Sequence, residues 1–479
     1  MCDCLYVYIP SWKLRRGWLL LASYFFYMCW NPKYIVLILT STVITYLCGI
    51  GVSRFSGDAA KQKGIIAVGF VSNLLILGFF KYFNFFMDSI QSLFALINVE
   101  LVTPKLDVLL PVGISFYTFQ ALAYIVDVYR GDIEAEHNFM NYALFVSFFP
   151  QLVAGPIERS RNLLNQIKTP QKFDYDNVRY GLMLMLWGYF EKMVISDRVA
   201  IIVDEVYDNY EGYTGLYIII ATVLFAVQIY CDFGGYSHIA IGAAQVMGFK
   251  LMKNFNQPYF SESVQEFWKR WHISLSSWFK DYLYIPMGGS RCSKGRRVFN
   301  LMVTFLVSGL WHGASWHFVV WGGLNGAFQV IGMYTKRCRG WLIDRLHMNT
   351  SCSSWHFGKK LVTFILVDFA WLFFRAQTMQ QAFSMIYRSI SVCNPWILFD
   401  ESLYGLGVDR FNFHIMIFSI FVLLMVDIAH ERQFAIRKWY AGQNMLFRWL
   451  GYIVIVMVIV LFGVYGVTYD STQFIYFQF

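Results

Sequence analysis

The sequence predicts an all-α protein that crosses a membrane many times. Three observations carry this reading. Hydrophobic residues make up 57% of the 479 positions and charged ones only 14%, against roughly a quarter charged in a soluble domain. Apolar runs recur from one end of the chain to the other, with short polar loops between them. Aromatic residues reach 19%, and many stand at the ends of those runs, where amphipathic rings settle at a membrane interface. The mean hydropathy of +0.46 agrees. One domain per ~150 residues is an expectation for soluble chains. A single membrane domain over 1–479 is expected here, with a motif-bearing core at about 107–334 and C-terminal helices at about 361–479.

In chain order, the clearest apolar segments are 34–52, 64–80, 142–154, 180–195, 216–230, 299–310, 318–334, 361–374, 413–428 and 450–467. Weaker candidates lie at 18–30, 85–99 and 109–126. Several are shorter than the ~20 residues a simple spanning helix needs, which predicts tilted, buried or re-entrant segments. The total is about 10–13 membrane segments. No internal repeat, low-complexity tract or long linker interrupts them.

The basic residues form short loop clusters rather than one stripe. Arg54, Lys61 and Lys63 make one; Arg291, Lys294, Arg296 and Arg297 a second; Lys336, Arg337, Arg339, Lys359 and Lys360 bracket a third; Arg432, Arg437 and Lys438 a fourth. Lys and Arg flanking spans on the cytoplasmic side explain the net charge of +9 without nucleic acid as a partner. Acidic or neutral loops at 204–211 and 393–409 then face outward, and the tail YDSTQFIYFQF ends outside. The nine cysteines form no CxxC pair, and Cys2 and Cys4 alone build no metal site, so neither a disulfide framework nor a zinc site is expected. No removable signal peptide is expected in MCDCLYVYIPSWKLRRGW.

Several chemical signatures are absent: there is no GxSxG elbow, no GxxxxGK[ST] phosphate loop and no HExxH zinc helix. Polar residues inside the apolar map instead concentrate in three stretches. These are QIYCDFGGYSH from Gln228, FWKRWHISLSSWFKDYLYIPMGG from Phe267, and VSGLWHGASWHF from Val307. Ionisable groups at membrane depth are expensive and default to hypotheses of function, which singles out Asp232, His238, His272 and His312. His312 and His317 are five apart, so on one helix they would point about 140° apart and share no metal. From the residues alone, His312 reads most simply as a packed histidine satisfied by a backbone carbonyl, and His272 as an interfacial residue beside Lys269 and Arg270. Arg270, Lys280 and Arg291 suit either an anionic donor or a solvated face.

These three stretches, with LLLASYFFY near the start and AWLFFRAQTMQQAF later, resemble the membrane-bound O-acyltransferase (MBOAT) family. The likeness is to its bacterial, polysaccharide-acetylating branch. It covers most of the chain and implies a polytopic helical fold. In that family the histidine of the WHG element is the proposed catalytic residue, here His312, and the histidine of RWHISLS, here His272, is functionally important. His317 and His238 are left as structural, and Asp232 as either functional or a partner for another side chain. The chain departs from the family pattern at His238, where Asp is frequent, and at Asn325, where His is frequent. An initial apolar segment before Ser11 is expected to be missing or shortened.

The resemblance implies an O-acetyltransferase of a bacterial cytoplasmic membrane with no bound cofactor. Its acyl donor would be acetyl-coenzyme A, its acceptor the hydroxyls of an extracytoplasmic polysaccharide, and its partner a separate extracytoplasmic acetyltransferase. D-alanyl transfer toward teichoic acids, a transporter or flippase without acyl chemistry, and a membrane scaffold are the alternatives. An imidazole kept in apolar surroundings stays neutral and able to accept a proton. Backbone N–H groups near Gly309 or Gly313 are candidates to stabilise an oxyanion. Counted from Arg297, His312 lies about 22 Å along a straight helix, well inside a hydrocarbon core of about 30 Å.

Overall fold

Local sequence sets where the helices start. Asp58 accepts the Ala60 and Lys61 N–H groups at 3.1 Å, Ser263 accepts Glu266 N–H at 3.2 Å, and Asp409 accepts Asn412 N–H at 2.7 Å. Each cap satisfies donors that have no partner within the helix. The computed structural model describes residues 9–107 and 110–465, and these residues are helices joined by loops, with no strand among them. The tail from Tyr469 and the cysteines at 2 and 4 lie outside the described residues. Five described helices are long and apolar enough to cross a membrane: Pro32–Arg54, Ala59–Ala95, Leu216–Val246, Arg410–Glu431 and Met445–Phe462.

Two corrections follow. The segments 64–80 and 85–99 are not separate: Ala59–Ala95 is one continuous run of 37 residues with a π-helical turn at Gly78–Tyr82. At 1.5 Å per residue it extends about 55 Å, longer than the hydrocarbon core. The segment 142–154 forms no span. The helix Phe139–Ser147 stops after nine residues, Phe148 turns out of helical conformation (φ −53°, ψ 109°), and a short helix follows at Phe149–Leu152. Pro150 has no N–H to give the Val146 carbonyl, so the helix cannot run through.

The described residues divide into two compact units. The first comprises Met1–Leu182 with Ala240–Met252. At its centre, Ile114–Arg130 is flanked by left-handed glycines, Gly113 (φ 73°) and Gly131 (φ 75°), and every residue from Ile114 to Ile125 is buried. A helix covered all round needs protein neighbours, which short buried segments supply. Glu158 accepts the Met252 N–H and, at 2.6 Å, the Asn162 amide, holding residues 240–252 to this unit. Its carboxyl is fully buried and is pushed up to about 7 by that burial.

The second unit comprises Met183–Ile239 with Lys253–Phe479. Lipid tails are as apolar as leucine, so close packing rather than water exclusion holds such helices together. Gly188 and Gly235 meet so closely that a Cβ on either would press into the other's carbonyl oxygen. The same device joins Lys294–His312 to Trp316–Tyr334: a Cβ on Gly309 would collide with the Phe318 carbonyl, and one on Gly322 with the Phe305 carbonyl. An aromatic core fills the remainder, with Trp321 stacked on Trp371 at 5.6 Å and 20°.

Orientation is testable on single-cysteine variants in intact cells. Cys292 sits half-buried in the basic loop before Lys294, whereas Cys393 is exposed in the loop poor in basic residues. An impermeant maleimide is expected to label Cys393 and spare Cys292 until the membrane is opened. Labelling of Cys292 from outside would invert the assignment.

Candidate functional site

His312 is the last residue of the Lys294–His312 helix; Gly313 then turns extended (φ −161°, ψ 148°) and Trp316–Tyr334 begins. The two histidines of this stretch therefore do not share a helix, and the angle expected from their spacing does not apply. His312 is 4% exposed. Trp311 and Trp321 stand edge-on to its ring at centroid distances of 5.0 Å each, and Phe374 at 5.5 Å. Such edge-to-face pairs each add about 0.5–1.5 kcal/mol beyond the area they bury and hold the ring's plane.

His272 joins two seven-residue helices, Val264–Arg270 and Ile273–Phe279, and is fully buried. Its backbone is left-handed (φ 42°, ψ 54°), a conformation that costs a non-glycine residue on the order of 1–2 kcal/mol. Hydrogen bonds on both sides hold it: Trp271 N–H to the Phe267 carbonyl at 2.8 Å and Ile273 N–H to the Asn254 carbonyl at 2.9 Å. The ring lies 4.6 Å from Phe233, 6.1 Å from Trp311 and 6.3 Å from His312, all between centroids. Burial pushes its imidazole down to about 3, so the ring is neutral at physiological pH. The structure thus brings together the two histidines singled out in the sequence.

The other candidates have different company. His317 Nδ1 donates to the Phe373 carbonyl at 3.1 Å, and its ring lies 4.1 Å from Phe318. His238 Nδ1 is 2.6 Å from Glu191, a carboxylate only 2% exposed. Asp232 pairs with Lys192 at 2.6 Å, and the same ammonium reaches Asp197 at 2.8 Å. Arg270 is engaged by Glu431 at 2.6 Å and Glu266 at 2.7 Å, while Lys280 and Arg291 are exposed.

Of the backbone N–H groups near Gly309 and Gly313, the two glycines' own are engaged elsewhere. Gly313 N–H bonds the Gly309 carbonyl at 3.4 Å, and Gly309 lies inside the helix. Gly309 and Gly313 are approached by this chain itself, Gly309 by Phe318 backbone and Gly313 by the Phe318 ring. Sequence reasoning missed Glu191 and Lys192, and named Asn325 only as a departure from the family pattern. Glu191 and Lys192 are ionisable neighbours inside the apolar run 180–195, engaged by His238 and by Asp232 and Asp197 respectively, and the rule that picked Asp232 would have picked them. Asn325 accepts Trp268 Nε1–H at 3.1 Å and donates to the Trp321 carbonyl at 2.9 Å, bracing a wall of the His312 site.

The pattern of the family described as MBOAT, membrane-bound O-acyltransferase, matches residues 24–352. The protein named probable alginate O-acetylase AlgI of Pseudomonas aeruginosa is 36% identical, over 87% of this chain and 78% of its own length. The peptidoglycan O-acetyltransferase of Helicobacter pylori is 34% identical, over 81% of this chain and 77% of its own. The teichoic acid D-alanyltransferase of Bacillus subtilis is 28% identical over 44% of this chain.

Proposed function

The chain belongs to the membrane-bound O-acyltransferase family, and from that premise we propose that it moves an acetyl group from acetyl-coenzyme A to hydroxyls of an extracytoplasmic polysaccharide. The relatives that align over more than 80% of the chain carry O-acetyl transfer in their names, and this supports acetyl over D-alanyl transfer. The observation that carries the mechanism is the pair of buried imidazoles, His312 and His272, 6.3 Å apart at the end of a helix.

His312 acts as the general base. Its imidazole takes the proton of the acceptor hydroxyl as that oxygen attacks the thioester carbonyl. The C–S bond breaks, and the proton passes to the departing thiolate, leaving an ester and a free thiol. Base catalysis of this kind contributes typically 10²–10⁴-fold. His272, neutral and close by, holds the reacting groups against His312. The site lies in a bacterial cytoplasmic membrane, with the donor reached from the cytoplasm and an extracytoplasmic acetyltransferase as its partner, extending acetylation to polysaccharide beyond the membrane surface.

The full chain in lipid nanodiscs, given labelled acetyl-coenzyme A and either alginate or peptidoglycan fragments, is expected to yield hydroxylamine-labile label on the saccharide. Label accepted only from a D-alanyl carrier-protein thioester would overturn the proposal. His272→Ala is expected to leave the protein folded and inserted while lowering transfer roughly 10- to 100-fold, the scale of a displaced reacting group. Full activity in that variant would reduce His272 to a packing residue.

A further inference from the structure

Behind His272 stands a line of side chains that the proposed mechanism does not use. Ser237 and Asn254 are each 1% exposed, and Ser274 is fully buried. Asn254 Nδ2 donates to Ser237 Oγ at 3.1 Å, which turns the amide oxygen the other way. Ser274 Oγ–H donates to that oxygen, Asn254 Oδ1, at 2.6 Å. A hydroxyl has one proton, and here it is spent. What Ser274 Oγ presents to His272 Nδ1, 3.5 Å away, is therefore a lone pair. A lone pair selects the ring form whose Nδ1 carries the hydrogen, and in a neutral imidazole the proton-accepting nitrogen is then Nε2.

We propose that Ser274 and Asn254 are positioning residues that set the tautomer of His272, presenting Nε2 as its basic nitrogen to the acyl-transfer site. The inference rests on the reading of His272 as a functional residue. The chain of donation runs one way, because each link fixes the next: amide to Ser237, Ser274 hydroxyl to amide, imidazole to Ser274. Asn254 contributes twice, since its backbone carbonyl also takes the Ile273 N–H at 2.9 Å and so holds the left-handed turn at His272. Backbone and side chain of one residue thus fix both the place of the ring and its protonated face. Without Ser274 the turn would persist, but either tautomer would be open to the ring.

The test is a double-mutant cycle on the full chain in nanodiscs, with labelled acetyl-coenzyme A as donor and alginate fragments as acceptor. Ser274→Ala is expected to lower kcat at least about tenfold, but no further than the loss in His272→Ala itself, with KM for acetyl-coenzyme A within about twofold, since a wrong tautomer removes the ring's function without removing the ring. Ser274→Cys keeps the volume with a weaker acceptor and is expected to fall likewise, so the cycle stands even if the alanine variant folds poorly. In a His272→Ala background, Ser274→Ala is expected to change nothing further, because its effect runs through the ring. A normal kcat in both Ser274 variants, or losses that add to that of His272→Ala, would overturn the tautomer role and leave His272 standing. Wild-type kcat in His272→Ala alone would overturn the reading beneath it.

Discussion

His312→Ala is expected to abolish acyl transfer while expression and membrane insertion stay near those of the parent chain, with thermal unfolding lowered only by the loss of the ring's edge-to-face contacts. Without the imidazole nothing at the end of the Lys294–His312 helix takes the acceptor's proton, and the loss should reach at least the 10²–10⁴-fold that a general base contributes. The fold should tolerate the change. The helix pair is joined by backbone approach at Gly309 and Gly322, which the imidazole does not make, and Trp321 keeps its stack with Trp371. His317→Ala is the control. It removes one hydrogen bond to the Phe373 carbonyl, about 0.5–1.5 kcal/mol of stability, and should leave transfer within a few-fold of normal. Retained activity in His312→Ala, or a fatal effect of His317→Ala, would move the base elsewhere.

Lys192→Met is expected to be the most destabilising single change in the second unit. Its ammonium lies 2.6 Å from Asp232 and 2.8 Å from Asp197, carboxylates only 1% and 6% exposed. Removing one partner of a buried ion pair costs about 3–5 kcal/mol, since the charge left behind has neither water nor counter-ion. The loss should appear as a lower unfolding temperature in detergent and reduced yield. Neutralising both carboxylates in the same chain, Lys192→Met with Asp197→Asn and Asp232→Asn, should restore most of it. A Lys192→Met variant as stable as its parent would show that the triad carries no structural load.

Much of the protein was legible in its sequence for a local reason. Hydropathy and charge are properties of a few neighbouring residues, so the runs 34–52, 216–230, 413–428 and 450–467 announced helices that the structure contains. The same locality marked His272 and His312, along with Asp232 and His238, as costly ionisable groups among apolar residues, and the family resemblance then singled out the two histidines. Locality also explains the misses. Windowed hydropathy does not register that Pro150 ends a helix before it can cross, or that a π-helical turn lets Ala59–Ala95 run on unbroken. Only the tertiary structure decided which polar groups meet. His272 and His312 are separated by 40 positions yet stand 6.3 Å apart, and Lys192 finds Asp232 across the same number. Those meetings depend on how closely backbones approach at Gly188, Gly235, Gly309 and Gly322. A glycine's spacing along the chain does not say which helix will press against it; that is settled when all the packed surfaces are satisfied together.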